Sequence, residues 1–302
     1  MKVIPRIKGG IGNQLFIFAA ARRLSVVNNA ELVLDHVSGF ERDFKYKRHY
    51  QLGHFNITNR LATPSERLLP FSRVRRLLLR YQSSLKDFND RAYLDQEGLD
   101  FDHRLLNFRP NPIQYLEGDW QSESYFKDIE PILRSDLKII PPNDMKNKHI
   151  ASLIEKTNSV ALHVRFFDST SNEEDSESSN DKSDNAPINY YTKAIKELAS
   201  LTPSPHYFVF SDRPEEVPKY LALDPSQVTI ISHNKGDHLA YADLWLISQC
   251  KHFIIANSTF SWWGAWLKSS KEKIVIAPNP CRFKSDNYWN TVGLIPKEWR
   301  LL

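Results

Sequence analysis

The second half of the chain constrains the fold most, because short apolar runs alternate there with helix-length segments. Residues 159–165, 206–210, 228–232, 252–256 and 273–277 read as buried-type strands. Residues 189–200, 239–250 and the stretch through Phe260, Trp263 and Leu267 read as helices. The order strand, helix, strand, strand, helix, strand, helix, strand, with apolar strands throughout, predicts a parallel sheet covered by helices on both faces. Ligands of such a sheet bind beyond the carboxyl ends of its strands. That rule selects four places: the turn at residues 9–14, the strand end with His163, Arg165 and Asp168, the Ser211-Asp212-Arg213 turn, and Asn257-Ser258-Thr259 with Ser261.

The first of these places lies near the N-terminus. Val3, Ile4 and Ile7 form an apolar run with basic interruptions, and Gly9-Gly10-Ile11-Gly12-Asn13-Gln14 follows, then a helical pattern over residues 15–28. A strand, a glycine turn and a helix can aim backbone N–H groups at an anion. Gly10, Gly12 and the amides of Asn13 and Gln14 are the candidate contacts. The spacing is neither the dinucleotide nor the P-loop pattern, and an ordinary turn whose glycines take positive φ also satisfies it. Residues 31–35 read as the second strand and 112–121 as another ending in glycine.

A length of 302 residues predicts about two domains. Pro141-Pro142 breaks the chain, which places the domains at 1–142 and 143–302, with the last residues able to cross back. Two cysteines, Cys250 and Cys281, give no disulfide framework and suit a reducing compartment. No Cys-x-x-Cys or His-Glu-x-x-His pair suggests a metal. The N-terminus carries no signal-like apolar region and no run approaches ~18 apolar residues, so a cytoplasmic protein is expected.

The net charge of +4 is unevenly placed, because residues 168–184 hold seven acids and one lysine. They predict a polar loop on an otherwise basic body, which suits phosphorylated ligands, anionic membranes or nucleic acid. A nucleic-acid module is disfavoured, since no basic stripe is interleaved with aromatics. Residues 68–81 place four arginines among leucines: either a solvated helix with a buried leucine stripe or a surface that meets an anionic membrane.

Each candidate residue has a chemical role and an ordinary alternative. Arg165, at a strand end, can clamp a diphosphate. His163 shares its strand face and is as readily a structural core group. Asn257, Ser258, Thr259 and Ser261 offer hydroxyls and N–H groups at a helix start, where capping alone needs one of them. Asp212 can receive a ribose or a guanine, or cap its turn. Two α/β halves, two anion nests and an arginine together indicate a nucleotide-diphosphate ligand, the setting of a two-domain glycosyltransferase.

Several motifs, all in order, resemble glycosyltransferase family 11, the α-1,2-fucosyltransferases. They are the Gly9–Phe16 turn, Ala161-Leu162-His163-Val164-Arg165, Tyr190-Tyr191-x-x-Ala194-Ile195, Phe210-Ser211-Asp212, and Asn257-Ser258-Thr259-Phe260-Ser261-Trp262-Trp263-Gly264-Ala265-Trp266-Leu267. Gly118-Asp119-Trp120-Gln121-Ser122-Glu123-x-Tyr125-Phe126 resembles a further motif of that family. The resemblance implies an α/β fold of GT-B type, two Rossmann-like domains facing a central cleft. It implies GDP-β-L-fucose as donor, inversion at the anomeric carbon, and neither metal nor other cofactor. It places Arg165 on the β-phosphate, His163 on the guanosine side, Asp212 and the 258–261 segment around GDP, and Asn13 toward the leaving phosphate. The implied acceptor is a galactoside 2-hydroxyl in a glycan or lipid-linked oligosaccharide, reached by a peripheral enzyme at the membrane.

One departure stands out. The family pattern H-x-R-R-x-D reads here His163-Val164-Arg165-Phe166-Phe167-Asp168. A missing cation weakens neutralisation of the leaving group. Another base such as Arg282 can compensate, the second arginine can be structural, or the donor or the activity itself differs. A different nucleotide sugar and a non-catalytic binding relative are the corresponding alternatives. Asp168 is the nearest motif carboxylate, either a base or a group that orients Arg165.

Overall fold

The computed structural model describes residues 1–58, 60–166, 185–283, 289 and 292–302. Asp168, the acidic run and the side chain of Arg282 lie outside the described residues. The chain packs as two units, Met1–Ile139 with Thr291–Leu294, and Ile140–Asn290 with Ile295–Leu302.

Unit one contains β1 (Lys2–Pro5), α1 (Ile11–Val27), β2 (Glu31–Leu34), β3 (Arg60–Leu61), α2 (Ser72–Ser84), β4 (Tyr93–Asp95), β5 (Ile113–Glu117) and α3 (Glu130–Asp136). Its sheet runs β3-β2-β1-β5-β4, parallel throughout, with Lys2 opposite Glu31 on one side and Ile113 on the other. The chain builds outward from β1 in one direction and then returns to its other side. That reversal is a topological switch point, and the glycine turn follows the strand at its centre. α1 is buried on nearly every side: Leu15, Phe16, Ile17, Phe18 and Ala19 are all enclosed. It starts at Ile11, four residues before the expected position, so Gly12, Asn13 and Gln14 form its first turn.

α2 is turned opposite to the buried-stripe reading. Its buried residues are Ser72, Arg76 and Ser83, while Val74, Leu77, Leu78 and Tyr81 are exposed. Polar contacts explain the orientation. The Arg76 guanidinium donates to Ser38 Oγ at 2.9 Å and lies 3.3 Å from the Asp35 carboxylate. Ser83 Oγ accepts from the Tyr93 backbone N–H at 3.0 Å, and Arg80 pairs with Asp95. Arg6 adds a pair with Glu117, which the Tyr93 hydroxyl also contacts. Burial alone would raise the Glu117 carboxyl; these donors outweigh it and hold it below the ordinary carboxylate range.

Unit two contains α4 (Met145–Lys156), β6 (Asn158–Val164), α5 (Ile188–Leu201), β7 (Pro205–Ser211), α6 (Val217–Tyr220), β8 (Val228–Ile230), α7 (Ala240–Gln249), β9 (His252–Ile254), α8 (Thr259–Leu267), β10 (Val275–Ala277) and β11 (Arg300–Leu301). Its parallel sheet runs β11-β10-β9-β6-β7-β8. β6 is the longest central strand, and Leu162, Val164, Val209 and Ile254 around it are fully enclosed. The switch point falls between β6 and β9. Two α/β units of parallel sheet with helices are thus observed, as the alternation of strands and helices requires. Among the described residues no helix is long and apolar enough to cross a membrane.

The S-T-F-S-W-W-G-A-W-L run builds core. Trp262, Trp263 and Trp266 form one aromatic cluster with Trp299, ring centroids 5.0–6.3 Å apart. Gly264 lets α8 press on α7, because a Cβ there would lie 2.3 Å from Ile247 Cγ2.

Candidate functional site

In unit two, three strand ends stand side by side. β6 delivers His163 and, one residue past its end, Arg165; β7 delivers Ser211 and Asp212; β9 leads into residues 255–258 and the N-terminus of α8. Arg165 is half-buried, with its Nε 3.6 Å from Asp212 Oδ2. Asp212 Oδ1 accepts from the Phe166 backbone N–H at 3.0 Å, so one carboxylate faces both the cation and the strand end that carries it. The Arg165 backbone N–H donates to Tyr191 Oη at 3.4 Å. Asp212 therefore stands beside Arg165 as a carboxylate that orients it.

His163 is buried, with Nδ1 2.8 Å from Ser261 Oγ. Ser261 Oγ donates in turn to Ser258 O at 3.4 Å. This chain is satisfied when His163 Nδ1–H donates to Ser261. Burial, aided by the Arg165 charge, pushes the imidazole down to about 3, so the ring is neutral. Ser258 caps α8, its Oγ accepting from Phe260 N–H at 3.3 Å. Asn257 is enclosed, and its Oδ1 accepts from Ala186 N–H at 3.1 Å. Thr259 opens α8, whose nine residues present their positive dipole end at the same sheet edge. Tyr190 fixes that edge from behind: its hydroxyl lies 2.7 Å from Ile255 O and 3.0 Å from Ile276 O.

Phe166 stands where the family pattern carries its second arginine. Its ring packs against Tyr220 with centroids 5.6 Å apart, and Asn185 Nδ2 donates to its carbonyl at 3.0 Å.

In unit one the glycine turn is tightly specified. Gly9 has φ +72°, and a Cβ on it would lie 3.0 Å from Asn13 Nδ2. Gln14 is buried and uses its amide within the fold. Nε2 donates to Gly9 O at 2.9 Å and to His49 O at 2.8 Å, and Oε1 accepts from Gln51 N–H at 2.8 Å. Gln14 therefore locks the turn. Gly10 precedes the helix in extended conformation, and Gly12 is buried in the first turn.

Arg48, which the sequence reading missed, sits over this turn. Its guanidinium carbon lies 3.7 Å from the position of a Gly10 Cβ, and it also covers the Tyr46 ring at 5.3 Å. The Asp43 carboxylate accepts from the Arg48 backbone N–H at 3.0 Å and holds the segment. The basic cluster Lys45-Tyr46-Lys47-Arg48 was its signal in the sequence, hidden in an irregular stretch. Lys8 adds a cation beyond β1, 3.2 Å from Asp119.

Residues 7–293 match the sequence profile of Glycosyl transferase family 11. The chain belongs to this family. Among curated proteins this glycosyltransferase is 30% identical over 300 residues to the alpha-1,2-colitosyltransferase of Escherichia coli, covering 98% of this chain and 97% of that one. It is 29% identical over 293 residues to the O-antigen biosynthesis glycosyltransferase WbnK of Escherichia coli, covering 90% and 92%. Among solved structures, the fucosyltransferase NodZ from Bradyrhizobium aligns with 88% of this chain and 92% of its own at 15% identity and a TM-score of 0.48.

Proposed function

We propose that this family 11 chain is an inverting, metal-independent transferase. It moves a 6-deoxyhexose from a GDP donor to the 2-hydroxyl of a galactoside during surface-glycan synthesis. The observation that carries the reading is Arg165, held at the end of the central strand β6 by Asp212, beside the N-terminus of α8. A fixed cation and a helix dipole at one sheet edge suit a departing diphosphate.

In the proposed reaction, the acceptor oxygen forms a bond to the anomeric carbon while the bond to the β-phosphate oxygen breaks. The electron pair leaves on the diphosphate, and the acceptor proton passes to a base or solvent. Arg165 neutralises the leaving group, Asp212 orients Arg165, and neutral His163 braces the Ser258–Ser261 segment through Ser261. The acceptor is a lipid-linked glycan, and the enzyme works from the cytoplasmic side.

Fucose is the first reading of the donor sugar. A second is favoured by the relative named for colitosyl transfer, since colitose is fucose without its 3-hydroxyl. Separate incubations with GDP-fucose, GDP-colitose and GDP-mannose, each with a β-galactoside, test the reading through GDP release. Release with either of the first two and not with GDP-mannose is expected. Release with GDP-mannose alone, or with none of the three, contradicts it.

A further inference from the structure

We propose that the outward face of α2 is a docking surface for an anionic lipid bilayer. Val74, Leu77, Leu78 and Tyr81 are 52–67% exposed, and Phe71 and Leu85 at the two ends are 76% and 71% exposed. At 3.6 residues per turn, the four helical residues fall within an arc of about 100°. This is the stripe that a soluble helix buries, yet it faces outward while Ser72, Arg76 and Ser83 face the protein. A continuous exposed apolar stripe marks an interaction site.

The charge around it selects the occupant. Arg73 and Arg75 are exposed on the two sides of the arc, and residues 69–86 contain no acidic residue. A second copy meeting this stripe through a two-fold axis would set arginine against arginine with no acid within the segment to pair them. A bilayer with anionic headgroups satisfies both parts: the leucines enter the acyl boundary and the arginines rest among the phosphates. The helix is already anchored from behind through Arg76 to Ser38 and Asp35 and through Ser83 to Tyr93, so docking needs no rearrangement of it. The surface stands independently of the identity of the donor sugar.

Co-sedimentation of the full chain with vesicles tests this, using phosphatidylcholine alone and an equal mixture of phosphatidylcholine and phosphatidylglycerol. The wild type should bind the mixed vesicles, bind neutral ones far less, and be released by salt. L77S/L78S and R73E/R75E should each weaken binding by about tenfold or more. GDP release with a soluble galactoside should stay as in the wild type, which separates loss of docking from loss of fold or catalysis. Absence of wild-type binding to the anionic vesicles overturns the proposal. So does unchanged binding by both variants, or a dimer in solution that L77S/L78S dissolves while vesicles bind neither protein.

Discussion

Arg165 owes its direction to Asp212 and its place to β6. A flexible guanidinium fixed beforehand loses little freedom when charge develops on a leaving diphosphate. Arg165→Ala is expected to lower kcat by roughly a hundredfold or more while weakening GDP binding less, measured by steady-state turnover and calorimetric titration with GDP. Equal losses in both would make Arg165 only a ground-state contact. At this scale the sequence was partly readable. Arg165, Asp212 and Ser261 follow from the rule that ligands meet strand ends. The alliance of Asp212 with Arg165 was not readable, because it joins the ends of two neighbouring strands that are distant in sequence. Arg48 was equally hidden, since only the folded loop brings it over Gly10. Gln14 shows the converse: an amide in a ligand-like turn proves to be the lock of that turn.

Among the elements, α8 joins packing to chemistry most directly. Its N-terminus faces the site, its tryptophans pack on one another and on Trp299, and Gly264 seats it against Ile247 of α7. Gly264→Ala would press a methyl group into Ile247, an overpacking that costs about 1–3 kcal/mol. The expected outcome is a lower melting temperature and weaker GDP binding, both partly restored by adding Ile247→Ala. Failure of that second change to restore either would place the strain elsewhere. The strands of unit two other than β11 were legible because each lies in a largely apolar run. β3, β4 and β11, with two or three residues each, carry too short a pattern to read. The direction of α2 escaped too: the spacing gives an amphipathic helix, but only the polar anchors Asp35, Ser38 and Tyr93 decide which face turns in.

For the molecule as a whole, a half-buried carboxyl sets one pH dependence. Asp243 in α7 is half-buried, and its Oδ1 accepts from Asn234 Nδ2 at 2.8 Å. Burial pushes its carboxyl up to about 7, with the Asn234 bond opposing. In the unfolded chain the same group titrates near 4. The folded state therefore retains a proton that the unfolded chain releases between those values, and its contribution to stability declines as pH rises through 7. Asp243→Asn should raise the melting temperature by several degrees at pH 8 and change it little near pH 4, as thermal denaturation across that range will show.

At the same scale, family membership covers nearly the whole chain, and it frames the proposed chemistry. Its central claim is transfer of a 6-deoxyhexose to the 2-hydroxyl of a galactoside with inversion. The most direct measurement is NMR of the product formed from the GDP-6-deoxyhexose that supports turnover and methyl β-galactoside. The account predicts a correlation between the new anomeric proton and galactose C2, with the α configuration opposite to that of the β-linked donor. A bond to any other galactose carbon, or a product that retains the β configuration, would contradict it.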